Sequence, residues 1–372
     1  MESSFFPYLT AFIWIGILLM LGTYLRAKIP FLQRLLFPAS LIGGIIGFAL
    51  VNVGWLGVPT TEGWRVLDQS PFGMITFHLF AFGFVGIGFL EAPKESNSKV
   101  ILRGSFWIAF LFTMMFAMQG LIGKGIFAGW EGLFGGSFET VNGYLLGAGF
   151  TQGPGQTQAY ATIWETSYHT VNAVNTGLAF AATGFLVAGL VGVPLALYGL
   201  KKGWAVNDGN KTLPRCLLRG LMDAGDNPAC AFSTTHAANI DTFGFHLGFM
   251  AATYGIAYLI ALAWAVYAPP ILADLGFGLL FFWGMIAAML VRKCMQFRHI
   301  NTLLDGETTR RITSTTVDFM ICAVFMGIRV STLQDILMPF ILSILVATAL
   351  TLIICLWFGR RSPEYGFERG LT

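Results

Sequence analysis

The chain is predicted to be an all-α polytopic membrane protein, an inverted repeat of five-span halves with a re-entrant hairpin and about nine spans present. Composition is the first observation: 55% of its 372 residues are hydrophobic and 11% charged, with mean hydropathy +0.69, whereas a soluble domain carries roughly 25% charged residues. The second is nine apolar stretches, each near the roughly 20 residues a helix needs to cross a hydrocarbon core about 30 Å thick. The third is the run from Gly143 to Gln158, too apolar at its start for a loop and too rich in glycine and polar residues at its tip for a span. Irregular backbone lies at membrane depth only where protein or a water-filled cavity satisfies it, so such a hairpin marks a translocation pathway.

The first span, about Tyr8 to Leu25, is read as retained, because Met1 to Pro7 carries Glu2 and no lysine or arginine and so lacks the positive flank of a cleaved signal. The second, Phe37 to Leu56, contains Ser40-x-x-x-Gly44 and Gly43-x-x-x-Gly47, spacings that let helix backbones approach closely. Phe72 to Leu90 and Phe106 to Ile126 follow; Gln119, midway along the fourth, needs a polar partner. The hairpin spans about 141–165, then come Val171 to Leu200, the polar segment Lys201 to Thr242, Phe243 to Ala268, Pro270 to Val291, Val317 to Leu333 and Ile336 to Phe358. The organisation expected is a first half at 1–200, a linker at 201–242 and a second half at 243–372.

With the N-terminus outside, all of the 22 lysines and arginines except Arg65, Lys124 and Arg329 fall on the cytoplasmic side, as the positive-inside rule requires. This sorting accounts for the net charge of +3 without a nucleic-acid surface. Five cysteines in spans or cytoplasmic loops imply neither a disulfide framework nor a metal site.

An odd number of spans before the linker inverts whatever follows, and two matches support an inverted repeat: Ile87-Gly88-Phe89 with Met326-Gly327-Ile328, and Gly143-Tyr144-x-x-Gly147 with Gly366-Phe367-x-x-Gly370. Tyr365 to Thr372 is then expected to open a second hairpin from the cytoplasm, its tip and a tenth span lying beyond Thr372. The alternative is a polar tail with accidental glycine spacing.

In this layout the chain resembles the sodium/glutamate symporter family of bacterial inner membranes. The resemblance rests on order: Pro38 with Gly43-Gly44, the Gly88 region, Met118-Gln119, the glycine-rich hairpin, Asp241-x-x-Gly-Phe-His246 and Met326-Gly327. It implies two inverted halves, two opposed hairpins, a homodimer in the bilayer, and sodium-driven glutamate uptake by an elevator-like movement, with sodium as coupling ion and no cofactor. One departure stands out. Where the family's hairpin tip reads Gly-Gly-x-Gly-x-Gly, this chain has Gln152-Gly153-Pro154-Gly155-Gln156-Thr157, which keeps another dicarboxylate or small organic anion open as cargo.

At such a tip, Gly153 and Gly155 are expected to offer N–H groups to a carboxylate, and Thr151, Gln152, Gln156 and Thr157 to offer oxygens to sodium. Gln119, Gly88 and Gly327 complete the expected substrate- or ion-binding set. His78 and His246 read as interfacial hydrogen-bonders, Lys124 and Arg329 as snorkelling cations, and Asp318 as water-facing. An enzyme reading has only Asp223, Asp226 and His236 to draw on, with no His-Glu-x-x-His motif and no nucleophile elbow. A passive channel and a fragment that transports nothing are the other readings.

Overall fold

The computed structural model describes residues 6–61, 63–90, 98–204, 214–223, 225, 230–359 and 361. Tyr365 to Thr372, where a second hairpin is expected to open, lies outside the described residues.

Helix α1 runs Pro7–Lys28, α2 Ala39–Asn52, α3 Ser70–Phe89 and α4 Ser98–Phe134. A short antiparallel pair of strands, β1 Gly57–Thr60 and β2 Gly63–Val66, bridges α2 and α3. Helix α5 covers Pro154–Ser167 and α6 Ala173–Val187, which continues through a π-turn into Val193–Lys201. The remaining long helices are α7 Thr242–Tyr267, α8 Leu280–Phe297, α9 Gly306–Met326 and α10 Leu337–Gly359. Among the described residues seven helices are long and apolar enough to cross a membrane, as expected for a multi-pass membrane protein. At 14 residues, α2 reaches only about 21 Å.

Helix starts follow local chemistry. Proline, whose missing N–H costs nothing in a first turn, opens α1 and α5. Asp241 caps α7 by accepting from the N–H groups of Phe243 (2.9 Å) and Gly244 (3.3 Å), and Asp305 caps α9 through Thr308 N–H at 2.8 Å.

Two expected spans are displaced. The stretch Val317 to Leu333 is not one helix: α9 begins at Gly306, ends at Met326, and is followed by a 3-10 segment, Val330–Ile336. Its polar first half is compatible with burial because Thr308, Thr309, Thr313 and Thr316 are buried with their hydroxyls spent locally. Thr309 donates to Asp305 O, Thr313 to Thr309 O and Thr316 to Thr313 O. The seventh span likewise starts at Leu280, after two single-turn helices, Pro270–Ala273 and Leu275–Gly278.

The centre of the bundle is the pair α3 and α9, running antiparallel, with α2 against α9 and α8 against α3. Glycines permit this closeness. A Cβ on Gly86 would strike the Thr313 side chain, one on Gly43 the α1 backbone at Leu18, and one on Gly44 the Phe325 ring. The small-residue pairs of α2 therefore serve two partners at once, Gly43 facing α1 and Gly44 facing α9.

Candidate functional site: a helix tip and a clamped break

Residues 140–167 form two arms. The first passes through a 3-10 turn, Thr140–Tyr144, into a π-turn, Gly147–Gln152; the second is α5. They meet at Gly153, whose φ of 96° and ψ of −178° lie in a region essentially open to glycine alone. Asn142 Nδ2 donates to Val171 O at 2.9 Å, so the segment begins and ends side by side. The Gly143-Tyr-x-x-Gly147 spacing has a packing cause: a Cβ at either glycine would strike α4 backbone, at Gly123 or Phe116.

The first arm is tied to the bundle by a polar chain. Thr151 Oγ1 donates to Gln119 Oε1, and Gln119 Nε2 donates to Thr351 Oγ1 at 2.9 Å, with Gln119 only 1% exposed. Gln119 thus finds its helix–helix partners, and both ends of its amide are used. Beside this chain lies a cavity of about 270 Å³ between α4, the first arm, α6 and α10, lined by Gln119, Thr151, Thr348 and Thr351 among apolar side chains; the Thr348 hydroxyl has no partner there.

The tip differs from its sequence reading in which groups are free. Gly153 N–H is spent on Ala148 O at 3.0 Å, and the Thr157 hydroxyl on Gly153 O at 2.9 Å. Fully buried Thr157 also packs its methyl against Gly177 of α6. Gly155 is tight against the Phe80 ring of α3, so its missing side chain serves helix packing. What remains open is the first turn of α5, where Gly155 and Gln156 carry N–H groups with no intrahelical acceptor, and the side-chain oxygens of Gln152 and Gln156, buried without partners. Sequence reasoning missed Gln158 and Thr76, whose side-chain oxygens are also buried and unpartnered. A buried oxygen left unpaired costs about 1–3 kcal/mol.

A second helix interruption, at residues 327–330, has the opposite character. Gln69 Nε2 donates to Met326 O and Ile328 O, both at 3.0 Å. Asn52 donates to Ile328 O and accepts from Val330 N–H, both at 2.9 Å. Asn175 accepts from Arg329 N–H at 2.7 Å and donates to Arg329 O at 3.0 Å. Three amides from three elements clamp this break, and nothing in the sequence flagged them. Gly327 sits here, against Phe72 and Leu178, while Gly88 lies at the far end of α3, packed on Met285 and Ala288 of α8. The structure therefore brings together Gln119 and residues 151–157 but does not bring Gly88 to them.

The other singled-out residues have ordinary partners. His246 Nε2 accepts from Asp305 N–H (2.7 Å), which leaves Nδ1 to donate to Thr242 O (2.7 Å). His78 Nδ1 pairs with Tyr254 Oη at 2.9 Å and Lys124 with Thr140. Asp318, expected to face water, accepts from the fully buried Ser40 hydroxyl at 2.8 Å. Outside the spans, burial pushes the Asp68 carboxyl up, but the hydroxyl and N–H of Ser70 and the charge of Arg329 outweigh it and hold its pKa below the usual value. Arg329 thereby faces a countercharge. Asp223 pairs with Arg219 at 3.6 Å, His236 accepts from Ala238 N–H at 3.1 Å, and Asp226 lies outside the described residues.

Comparison with known proteins supplies the context. The curated sodium/glutamate symporters of Escherichia coli (strain K12) and Shigella flexneri are each 27% identical over 191 residues, covering 51% of this chain and 44% of theirs. The match thus spans less than half the length of those relatives. No solved structure matches. The family model for the sodium/glutamate symporter matches residues 6–360, and the chain belongs to that family.

Proposed function

We propose that the protein is a sodium-coupled secondary transporter, not an enzyme, that imports glutamate across the bacterial inner membrane as a homodimer, with its N-terminus outside. The observation that carries this reading, beside the family, is the tip at Gly153: a helix N-terminus with N–H groups at Gly155 and Gln156, next to unpartnered carboxamide oxygens at Gln152 and Gln156. The N–H groups and helix dipole suit a carboxylate, and neutral oxygens suit a sodium ion. Formal countercharges at membrane depth are costly, and a tip built from dipoles avoids them.

The arrangement of α3 and α9, with α2 and α8 on opposite partners, supports the inverted repeat, and residues 141–165 are read as its first re-entrant hairpin. Energetics then constrain coupling. Moving one net negative charge into a negative-inside cell costs about 2.3 kcal/mol per 100 mV, so accumulating monoanionic glutamate calls for a cotransported cation, and more than one sodium per cycle lets the voltage drive uptake as well as the gradient. Proteoliposomes carrying an inward sodium gradient and an inside-negative potential are expected to accumulate labelled glutamate, with inward positive current. Uptake that ignores sodium, or equilibrates without accumulating, would exclude symport.

A second reading keeps the mechanism and changes the cargo to another dicarboxylate. It is favoured by the replacement of two tip glycines by Gln152 and Thr157, since Gln152 adds a side-chain amide where the family presents bare backbone. Competition of glutamate uptake by a panel of dicarboxylates separates the two.

A further inference from the structure

A separate cavity of about 450 Å³ lies between α3, α5, the end of α7 and the single-turn helices Pro270–Ala273 and Leu275–Gly278, at the end of the bundle away from Lys201 and Arg292. Its lining is apolar except for one stripe. Gln158, Thr162 and Thr166 recur every four residues along one face of α5, and Asp274 stands at the exposed end, accepting from Ser167 Oγ at 2.6 Å. Burial deepens along the stripe: Thr166 is exposed, Thr162 half-buried, and Gln158 only 5% exposed.

At the inner end of this cavity, in its lining and behind it, lie two buried unpartnered oxygens. Gln158 Nε2 donates to Thr162 Oγ1 at 3.3 Å, which fixes the amide and leaves Oε1 without a partner. That amide lies against Gly73 of α3, where a Cβ would come within 3.1 Å of Nε2. One turn further along α3 is Thr76, fully buried, its hydroxyl also unpartnered. Gly73, Thr76 and Phe80 share a stripe of α3, and its two ends touch Gln158 and Gly155 of α5, so Thr76 lies between two contacts with the same arm.

We propose that Thr76 Oγ1 and Gln158 Oε1 are ligands of a sodium ion, reached through this cavity from Asp274 along Thr166 and Thr162. Hard, neutral oxygens suit a monovalent alkali cation; divalent ions are held with carboxylates, and no carboxylate reaches this depth among the described lining residues. The carboxylate at the mouth draws cations in without binding them tightly. The site rests on the transport reading for its purpose but not for its chemistry. It also differs from the oxygens of Gln152 and Gln156, which belong to the tip.

The test is a sodium titration of the purified full chain in lipid nanodiscs at constant ionic strength, with choline as replacement and potassium as a second arm, read by tryptophan fluorescence. Trp164 lies two residues beyond Thr162 on the same arm. The half-saturating sodium concentration is expected to rise about tenfold or more in Thr76→Val and in Gln158→Leu, the scale of losing one ligand contact, and to return toward wild type in Thr76→Ser. Melting temperature measured in choline checks that each variant is folded. A wild-type titration equally satisfied by choline, or one unchanged in both variants, overturns the site. Sodium-driven uptake is measured alongside. Uptake that persists while the titration is unmoved ends the site and leaves the transport reading, whereas a sodium response lost with Thr76→Val in a protein that takes up no glutamate does the reverse.

Discussion

The two helix interruptions, at Gly153 and at residues 327–330, break regular hydrogen bonding in similar ways and resolve it differently. At 327–330, Asn52, Gln69 and Asn175 meet the freed backbone groups. Around Gly153 the backbone closes on itself through Ala148 and Thr157, while the glutamine oxygens beside it stay unpaired. Irregular backbone is therefore not itself the mark of a binding site. A break whose polar groups are answered holds shape, and one that leaves buried oxygens unanswered is, on the proposed function, where a ligand is met.

This contrast is open to attack. The largest effect is expected at the clamp. Replacing Asn52 and Asn175 together by leucine removes four hydrogen bonds to residues 328–330, and at about 1 kcal/mol for each should lower stability by several kcal/mol, seen as a large fall in melting temperature in detergent. A double variant as stable as wild type would dissolve the contrast. At the tip the pattern should invert: Gln152→Leu or Gln156→Leu gives up no internal bond, so stability should hold within about 1 kcal/mol while sodium-dependent uptake falls at least about tenfold. A loss of stability in step with uptake would assign both glutamines to structure. Thr157→Val sharpens the boundary, because its hydroxyl is spent on Gly153 O; uptake is expected to change less than about threefold, with stability lower by about 1 kcal/mol.

The smallest effect lies outside both breaks, at Asp305. Burial raises its pKa, but the N–H and hydroxyl of Thr308 outweigh that and hold it below the reference of 3.8. A carboxyl depressed on folding stabilises above its unfolded pKa, and the contribution is lost as pH falls through the lower folded value. Acid melting of the wild type should therefore steepen below about pH 4, and Asp305→Asn should flatten that limb while lowering stability near neutrality by about 1 kcal/mol at most. An unchanged acid limb would remove Asp305 from the account.

Most of the architecture was legible because apolar length is the dominant signal in a membrane chain. Seven of the nine predicted stretches fall on α1, α2, α3, α4, α6, α7 and α10, and the glycine spacings of α2 have the close packing they imply. The misplaced eighth span shows where that signal fails. Hydropathy favours Val317 to Leu333, yet α9 begins at Gly306 because threonines that bond their own helix are buried without interhelical partners. The tip was legible as a segment, from its glycines, but the roles within it were not. Whether Gly155 meets a ligand or a ring depends on Phe80, some 75 residues away in sequence. The clamp was invisible for the same reason, since Asn52, Gln69 and Asn175 share no spacing and meet only in three dimensions.

The threonine face of α9 carries one more consequence. Thr313 and Thr316 donate their hydroxyl protons back to their own helix while the same oxygens face α3, Thr313 Oγ1 filling the notch at Gly86 and Thr316 Oγ1 lying by Gly83. The seam between the two central helices is thus a volume gauge. It is intolerant of a single added carbon at Gly86, which would fall on the Thr313 hydroxyl oxygen, so substitution along it is limited first by size.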